Sequence, residues 1–238
     1  MNVESIPVDQ LILAFLPVAV VLVLMWRWKM RLGHSVYALA RMLVQLLLIG
    51  YALVFIFDAD SSAIIIAVLI VMLLASGWIA LNTVDGAKRS LFPASLASVL
   101  LGGGLTLLLI TQAVLQLEPW YRPSYMIPLA GMIFASSMTG ISLAAERLVA
   151  ELGNGCGYEK AKTIAFRAAM IPVTNSLFAV GLISLPGMMT GQILSGVSPF
   201  IAARYQIMVM CMSFGATGIS TACFLRLTSH SGFFRSSA

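Results

Sequence analysis

The sequence predicts an all-α membrane protein, a bundle of about seven helices that cross a lipid bilayer. Apolar residues make up 60% of the 238 positions and charged residues only 10%, whereas an ordinary soluble domain carries roughly 25% charged residues. The mean hydropathy is +0.99. Long apolar runs alternate with short charged connectors, and about 20 apolar residues suffice to cross a bilayer core. We therefore expect residues 1–238 to form a single multi-pass domain in the bacterial inner membrane.

Seven apolar runs, each bounded by charged residues, glycine or proline, predict the spans. They cover residues 11–25, 35–57, 61–81, 93–117, 125–145, 168–186 and 202–225. At about 1.5 Å per residue, each run can cross most or all of a hydrocarbon core of roughly 30 Å. Trp78 and Trp120 lie at or near span ends, where aromatic side chains anchor helices at the bilayer interface.

The distribution of basic residues predicts the orientation. The chain carries a formal net charge of +5, but its lysines and arginines are spread over short connectors, which argues against nucleic acid as a partner and fits membrane lipid. Three connectors, which hold Lys29, Lys88 and Lys160, and the tail with Arg226 and Arg235 are rich in basic residues. The positive-inside rule places them in the cytoplasm. The N-terminus is then outside and the C-terminus cytoplasmic.

Small residues in two spans predict close contacts between helices. Gly102, Gly103 and Gly104 lie in the fourth span, and Gly215 and Gly218 lie in the last. Glycine lets two helix backbones approach closely inside a membrane. These positions indicate architecture rather than activity.

The longest polar connector, residues 146–167, differs from the tight turns elsewhere. Its sequence indicates two short helical pieces around a glycine-rich break, which consists of Gly153, Asn154, Gly155, Cys156 and Gly157. We expect the segment to project into the cytoplasm as a short helix. Its mixed apolar and charged residues would offer a face to a soluble partner.

The sequence lacks the patterns of an enzyme. His34 and His230 lie in predicted cytoplasmic segments, and no HExxH or GxSxG motif is present. All nine acidic residues fall in connectors or at span ends, which disfavours a proton-coupled carrier because such carriers usually need a carboxylate inside the membrane. A phosphate-binding loop of the GxxxxGK[ST] type is also missing. If ATP drives this protein, another chain must bind it.

Three polar side chains inside spans are candidates for a substrate pathway. Arg41 and Gln45 lie one helical turn apart in the second span. They could line a pathway or its gate, and an equal alternative is a structural role in which Arg41 extends to the interface. Asn175 lies near the middle of the sixth span, four residues after Pro172. This segment could line the pathway or act as a hinge, or it could hold helices together.

The 14 methionines raise the hypothesis of a soft-metal pathway. The candidates are Met132, Met138, Met188 and Met189. Met126, Met132 and Met138 are spaced six residues apart, so on a helix they point in three directions about 120° apart and form no single stripe. Packing is therefore the default interpretation of the methionines.

A break follows the sixth span at Pro186 and Gly187. Proline and glycine end a helix there and could form a hinge. Residues 192–196 are too apolar for a typical exposed loop, so a re-entrant or interfacial turn within residues 187–200 is a further possibility.

Five segments together resemble the Fet-type (FetB) permeases, proposed ABC iron exporters with plant relatives linked to aluminium tolerance. The matching segments are residues 41–51 (RMLVQLLLIGY), 127–132 (IPLAGM), 168–172 (AAMIP), 180–191 (VGLISLPGMMTG) and 205–209 (YQIMV). SLPGMM and YQIMV are fairly specific in combination, and the resemblance spans most of the chain.

The resemblance implies a permease subunit that exports a metal ion, iron by family. It implies a separate cytoplasmic ABC ATPase that binds ATP and Mg²⁺, an assembly of two permeases and two ATPases, and no cofactor on this chain. Residues 145–172 resemble the coupling region of ABC permeases. The implied coupling residues are Glu151, Leu152, Gly153, Tyr158 and Lys160. A stand-alone secondary carrier for a metal or small solute and a membrane scaffold are the alternatives.

Overall fold

A computed structural model describes residues 7–30, 32–57, 61–84 and 88–230. Most of these residues lie in helices, and the described residues hold no β-structure beyond an isolated bridge between Val180 and Ser184. The helices are α1 Val8–Leu13, α2 Leu16–Arg27, α3 Leu32–Phe57, α4 Ser62–Ile79, α5 Lys88–Val114, α6 Pro123–Gly153, α7 Tyr158–Ala179, α8 Gly187–Leu194 and α9 Pro199–Leu227, followed by a 3₁₀ turn Thr228–His230. The prediction of an all-α protein is confirmed.

Six of the described helical segments are long and apolar enough to cross a membrane, namely Gln10–Arg27, which includes most of α1 and all of α2, and the helices α3, α4, α5, α6 and α9. The predicted sixth span falls on α7, whose first turns hold Glu159, Lys160, Lys162 and Arg167 and whose hydropathy is lower for that reason. α7 also ends at Ala179, seven residues before the predicted end at residue 186. The seventh span and the orientation stay predictions.

The chain divides into two compact units, Met1–Ala59 and Asp60–Ala238. The single-domain expectation is not tested by this division. In the first unit, α2 and α3 lie against each other, and Ser35 Oγ donates a hydrogen bond to Met25 Sδ at 3.7 Å. Almost all apolar side chains of the two helices are exposed, as suits helices that meet lipid or other helices.

The second unit is built around α6 and α9. Both helices begin with proline in their first turn, Pro123 and Pro199, where the missing N–H group costs nothing because no intrahelical acceptor exists. α6 packs against α4, α5, α7 and α9. The largest fully buried side chains include Ile65, Leu91, Ile133, Ile141, Leu148 and Phe224. The core of this unit therefore runs along the whole of α6.

Glycine and serine let α5, α6 and α9 pack at close range. A Cβ atom on Gly102 would lie 2.2 Å from Ser220 Oγ, and one on Gly140 would lie 2.6 Å from Thr221 Oγ1. Ser220 Oγ donates to Ser137 Oγ at 2.9 Å, and both side chains are fully buried. The predicted close contact is thus present at Gly102, whereas a Cβ on Gly215 would meet nothing within 4 Å.

The connector of residues 146–167 contains the expected two helical pieces around a glycine-rich break. The pieces are the end of α6 and the start of α7, separated by residues 154–157. A separate short coupling helix is absent from this fully described segment, because both long helices simply continue into it. With 31 residues, α6 is about 46 Å long at about 1.5 Å per residue, longer than a bilayer core of roughly 30 Å. The connector is therefore a rigid helical hairpin.

The predicted break at Pro186 is wider than expected. After Ala179 the chain forms a turn in which Gly181 N–H donates to the Ser184 carbonyl at 3.0 Å, and Gly181 has a φ of +83° that favours glycine. Pro186 then precedes α8. Residues 187–194, considered as a re-entrant or interfacial turn, form this short helix.

Candidate functional site

The second unit has two ends of different composition. The first, which we call the 115–122 end, holds the turn of residues 115–122 between α5 and α6, together with α8 and the start of α9. The second, the 154–157 end, holds the hairpin between α6 and α7 and the last turn of α9. Each end has a cavity or groove lined by residues distant in sequence.

A cavity of about 630 Å³ lies at the 115–122 end between α6, α8 and α9. Binding sites for small ligands are usually cavities of about 300–1,000 Å³ that are largely apolar, with a few polar groups. Besides apolar side chains, the lining includes Tyr125, Met132, Met188, Gln192, Tyr205 and Met208. The Gln192 Oε1 atom is buried and has no hydrogen-bond partner among the residues that the structure describes. Such an atom is costly to leave unpaired, so a ligand would be a favourable partner for it.

A smaller recess of about 300 Å³ opens beside this cavity and shares Arg122, Tyr125 and Tyr205 with it. Its other polar lining comes from Gln116 and Glu118. Tyr125 and Tyr205 both line the recess, and the Arg122 guanidinium lies over the Tyr125 ring, 5.3 Å from its centroid. Since Glu118 and Arg122 are exposed, the recess is the water-facing mouth of the deeper cavity.

The structure brings two of the four predicted methionines into the cavity. Met132 from α6 and Met188 from α8 both line it, and Met208 from α9 joins them. Met138 and Met189 are half-buried and do not line it. Met132 lines the cavity and Met138 does not, as expected for two residues that point in different directions from α6.

The other candidates for a pathway lie elsewhere. Asn175 is exposed on α7. Arg41 and Gln45 are exposed on α3 of the first unit, and with the Gln45 amide oxygen turned toward Arg41 the oxygen accepts from Nε at 3.1 Å and from an Nη at 3.3 Å. This pairing neutralises part of the polarity of the two side chains within an apolar helix. Their roles in a pathway stay predictions.

A second cavity, of about 330 Å³, lies between α6, α7 and α9 and includes the predicted hinge residue Pro172. Its polar lining consists of hydroxyl groups from Ser136, Thr139, Ser176, Ser213 and Thr217. α7 continues through Pro172, and Ser176 Oγ donates to the Pro172 carbonyl at 3.0 Å. A side-chain hydroxyl thus bonds a carbonyl in the stretch that proline disturbs.

The 154–157 end carries a groove of about 920 Å³ between the first turns of α7 and the last turns of α9. It is lined by Glu159, Lys162, Phe166, Leu225 and Arg226, among others. Lys162 Nζ lies 2.5 Å from Glu159 Oε2. The groove therefore combines apolar and charged groups.

Tyr158 fastens the hairpin to α9. Its hydroxyl donates a hydrogen bond to the Leu225 carbonyl and lies 3.4 Å from Thr228 Oγ1. Burial raises the pKa of Tyr158 above 10.0, with a smaller raising effect from Glu159 and opposing effects from Thr228 and Lys162. Because α7 and α9 are joined here, movement of the hairpin would be passed to α9.

The predicted coupling residues differ in accessibility. Gly153 and Lys160 are exposed, and Glu151 is half-buried in an ion pair with Arg147 at 2.6 Å. Leu152 is only 1% exposed and packs in the core, so its side chain supports the hairpin from inside. Sequence reasoning did not single out Glu159, Lys162 and Phe166 as coupling residues, although they lie in the connector that it predicted to face a soluble partner, and all three line the groove.

Sequence reasoning also missed most of the 115–122 end. Tyr205 belongs to the YQIMV segment, but nothing in that segment indicates its neighbour Tyr125. Among the described residues, no group of three or more His, Cys, Asp or Glu side chains could hold a metal ion. A metal site in this part of the chain would therefore need donors in addition to these four residue types.

The long apolar helices define a polytopic membrane protein, and the predicted localisation as a multi-pass protein of the inner membrane is confirmed. The chain belongs to the family described as "Uncharacterised protein family (UPF0014)", whose model matches residues 8–233. The resemblance to FetB-type permeases is thereby confirmed.

Three relatives cover most of the chain. "Probable iron export permease protein FetB" of Escherichia coli K12 is 31% identical over 248 aligned positions, which span 94% of this chain and 92% of the relative. "UPF0014 membrane protein slr1647" of Synechocystis is 32% identical over 218 positions, 85% of this chain and 84% of the relative. "Protein ALUMINUM SENSITIVE 3" of Arabidopsis thaliana is 34% identical over 204 positions, 79% and 73%. No solved structure matches the chain.

Proposed function

We propose that this chain is the membrane-spanning permease subunit of an ATP-driven ABC transporter, that it exports a metal ion, and that a separate ATPase chain binds ATP and Mg²⁺. Two permeases and two ATPases would form the transporter. The observation that carries the proposal is the rigid hairpin between α6 and α7, which continues into two long helices of the bundle.

The hairpin has the mechanical properties that an external ATPase needs. A partner can move helices across a membrane only through an element that is rigid and fastened to them. α6 is buried along its length, from Met126 to Leu152, and the Tyr158 hydroxyl bonds the hairpin to α9. A push on residues 154–157 would therefore act on α6, α7 and α9 together.

The 115–122 end supplies a place for a small cargo. Its cavity of about 630 Å³ lies between the same helices α6 and α9 that the hairpin would move. Movement of these helices would change the shape of the cavity, which is how alternating access exposes a site to one side at a time. The printed name of the Escherichia coli relative, a probable iron export permease, supports a metal ion as the cargo.

The experiment is co-reconstitution of the chain with the ABC ATPase from the same genome that co-purifies with it. Proteoliposomes are assayed for ATP hydrolysis and for ATP-dependent metal transport. The test variant Lys160→Gln/Lys162→Gln removes two basic groups from the hairpin. The matched control Arg27→Gln/Lys29→Gln removes two basic groups at the end of α2, in the other unit.

We expect the hairpin variant to lose ATPase binding and coupled transport while the control keeps both. Equal behaviour of the two variants would contradict the coupling role of the hairpin. Transport by the chain alone, without ATPase or ATP, would instead establish the stand-alone carrier.

A further inference from the structure

The mouth recess at the 115–122 end brings oxygen donors of residues 116–125 together with one from α9. Glu118 contributes a carboxylate, Gln116 an amide, and Tyr125 and Tyr205 two phenols, all lining one space of about 300 Å³. Tyr125 lies on α6 and Tyr205 on α9, so the fold assembles the group.

The donors of the recess differ from those of the deeper cavity. Oxygen donors suit hard cations, whereas thioethers suit soft ones. Met132, Met188 and Met208 line only the deeper cavity, and Glu118 lines only the recess. A hard cation that reaches the mouth on its way out would therefore meet its preferred ligands there.

The charges of the recess match a trivalent cation. The carboxylate of Glu118 and two phenolates would supply three negative charges, and coordination would release one proton from each phenol to the water at the mouth. Arg122 lines the same recess and lies over the Tyr125 ring. Its positive charge and forked N–H donors can hold an anionic co-ligand, such as a carboxylate, on the same cation.

We propose that Glu118, Tyr125 and Tyr205 form a binding site for a hard multivalent cation of the Fe³⁺ class, with Arg122 holding a carboxylate co-ligand. The inference rests on the proposed metal transport and assigns its cargo a binding site at the end opposite the hairpin, where an exported ion leaves the chain. Gln116 is a further oxygen donor that lines the recess. The methionine cavity beneath is then the space from which the cation reaches the mouth.

The test uses the full chain purified in detergent and titrated with Fe³⁺ supplied as its citrate complex. Phenolate bound to Fe³⁺ gives a visible charge-transfer absorption band, which reports the phenol ligands directly. The test variants are Tyr125→Phe, Tyr205→Phe and Glu118→Gln. The matched control is Tyr121→Phe, a tyrosine of the same turn that does not line the recess.

We expect a band in the wild type and in Tyr121→Phe. We expect Tyr125→Phe and Tyr205→Phe to weaken or shift it, and each of the three test variants to lower Fe³⁺ affinity about tenfold or more, the scale of losing a supporting group at a metal site. A wild type without the band, or a band that neither phenylalanine variant changes, overturns the proposal. Binding of Ag⁺ with no binding of Fe³⁺ overturns it as well and moves the metal site to the methionines.

The outcome is independent of the transport proposal. The titration needs neither the ATPase nor ATP, so Fe³⁺ binding without ATP-driven export would leave the site standing and refute the transporter. ATP-driven export with no Fe³⁺ binding in the recess would refute the site and leave the transporter standing.

Discussion

The two ends of the second unit present different chemistry to their surroundings. The 115–122 end has a narrow mouth of oxygen donors above an apolar cavity with methionines. The 154–157 end has two helix ends, the ion pairs Arg147–Glu151 and Glu159–Lys162, and a wide groove. In the proposed transporter, the first end would bind the cargo and the second would bind the ATPase.

The same helices form both ends. α6 runs from Pro123 at the mouth to Gly153 at the hairpin, and α9 runs beside it from Pro199 to Leu227. The middle of this pair is the glycine and serine seam of Gly102, Ser137 and Ser220. The seam therefore connects the 115–122 end to the 154–157 end, and substitutions in the seam should affect both ends.

The largest effect is expected for Gly102→Ala. The added Cβ would lie 2.2 Å from Ser220 Oγ and 2.4 Å from the Ser220 backbone nitrogen, so a backbone must shift and stability should fall by about 3 kcal/mol, the upper part of the range for overpacking. Thermal unfolding in detergent measures this. Gly215→Ala, where a Cβ meets nothing within 4 Å, is the control. If Gly102→Ala and Gly215→Ala had the same melting temperature, the seam would not join the 115–122 end to the 154–157 end.

The seam shows how far the sequence alone could predict the packing. A run of Gly102, Gly103 and Gly104 is a visible signal of close approach, and Gly102 does meet Ser220. The same reasoning also selected Gly215, which has open space beside it. The sequence gives the size of each residue, but which side of a helix contacts a neighbouring helix depends on how the helices are rotated in the bundle.

The sequence alone predicts even less of the candidate site at the 115–122 end than of the packing. Met132 and Met188 were selectable because methionine is a recognisable soft ligand, whereas Glu118, Tyr125 and Tyr205 are common residue types with no shared motif. About 80 positions separate the two tyrosines, and only the packing of α6 on α9 brings them together. The hairpin was easier to predict because its signal, charged helix-forming residues around a glycine break, is local.

A smaller effect is expected for Ser137→Ala in the same seam. Ser220 Oγ would lose its acceptor at 2.9 Å while remaining fully buried, and an unpaired buried hydroxyl costs about 1–3 kcal/mol. The double variant Ser137→Ala/Ser220→Ala removes both partners and should cost less than the sum of the two single variants. Strict additivity in detergent unfolding would contradict the hydrogen bond as the source of the effect.

Tyr158→Phe should affect the 154–157 end alone. Loss of the hydrogen bond to the Leu225 carbonyl should lower stability by about 1 kcal/mol. The raised pKa of Tyr158 means that the folded state holds the proton more tightly, so this contribution is complete below about pH 10 and is lost as the pH rises through the folded-state value. Alkaline unfolding of the wild type should therefore be steeper than that of the variant. Tyr121→Phe at the opposite end should keep the wild-type profile.

The smallest effect on stability is expected for Glu151→Gln, which removes the ion pair with Arg147 at 2.6 Å. Pairs spaced i,i+4 on a helix contribute only about 0.3–0.5 kcal/mol and weaken with salt, and the Arg147 side chain is half exposed. If the hairpin serves a partner, the same substitution should nevertheless alter coupled ATP hydrolysis, because the charge contributes to a protein contact rather than to the fold. Unfolding in low and high salt, measured beside ATPase coupling, separates the two roles. A variant that unfolds early but couples normally would make Glu151 part of the scaffold and leave the groove of Glu159, Lys162 and Phe166 as the contact surface.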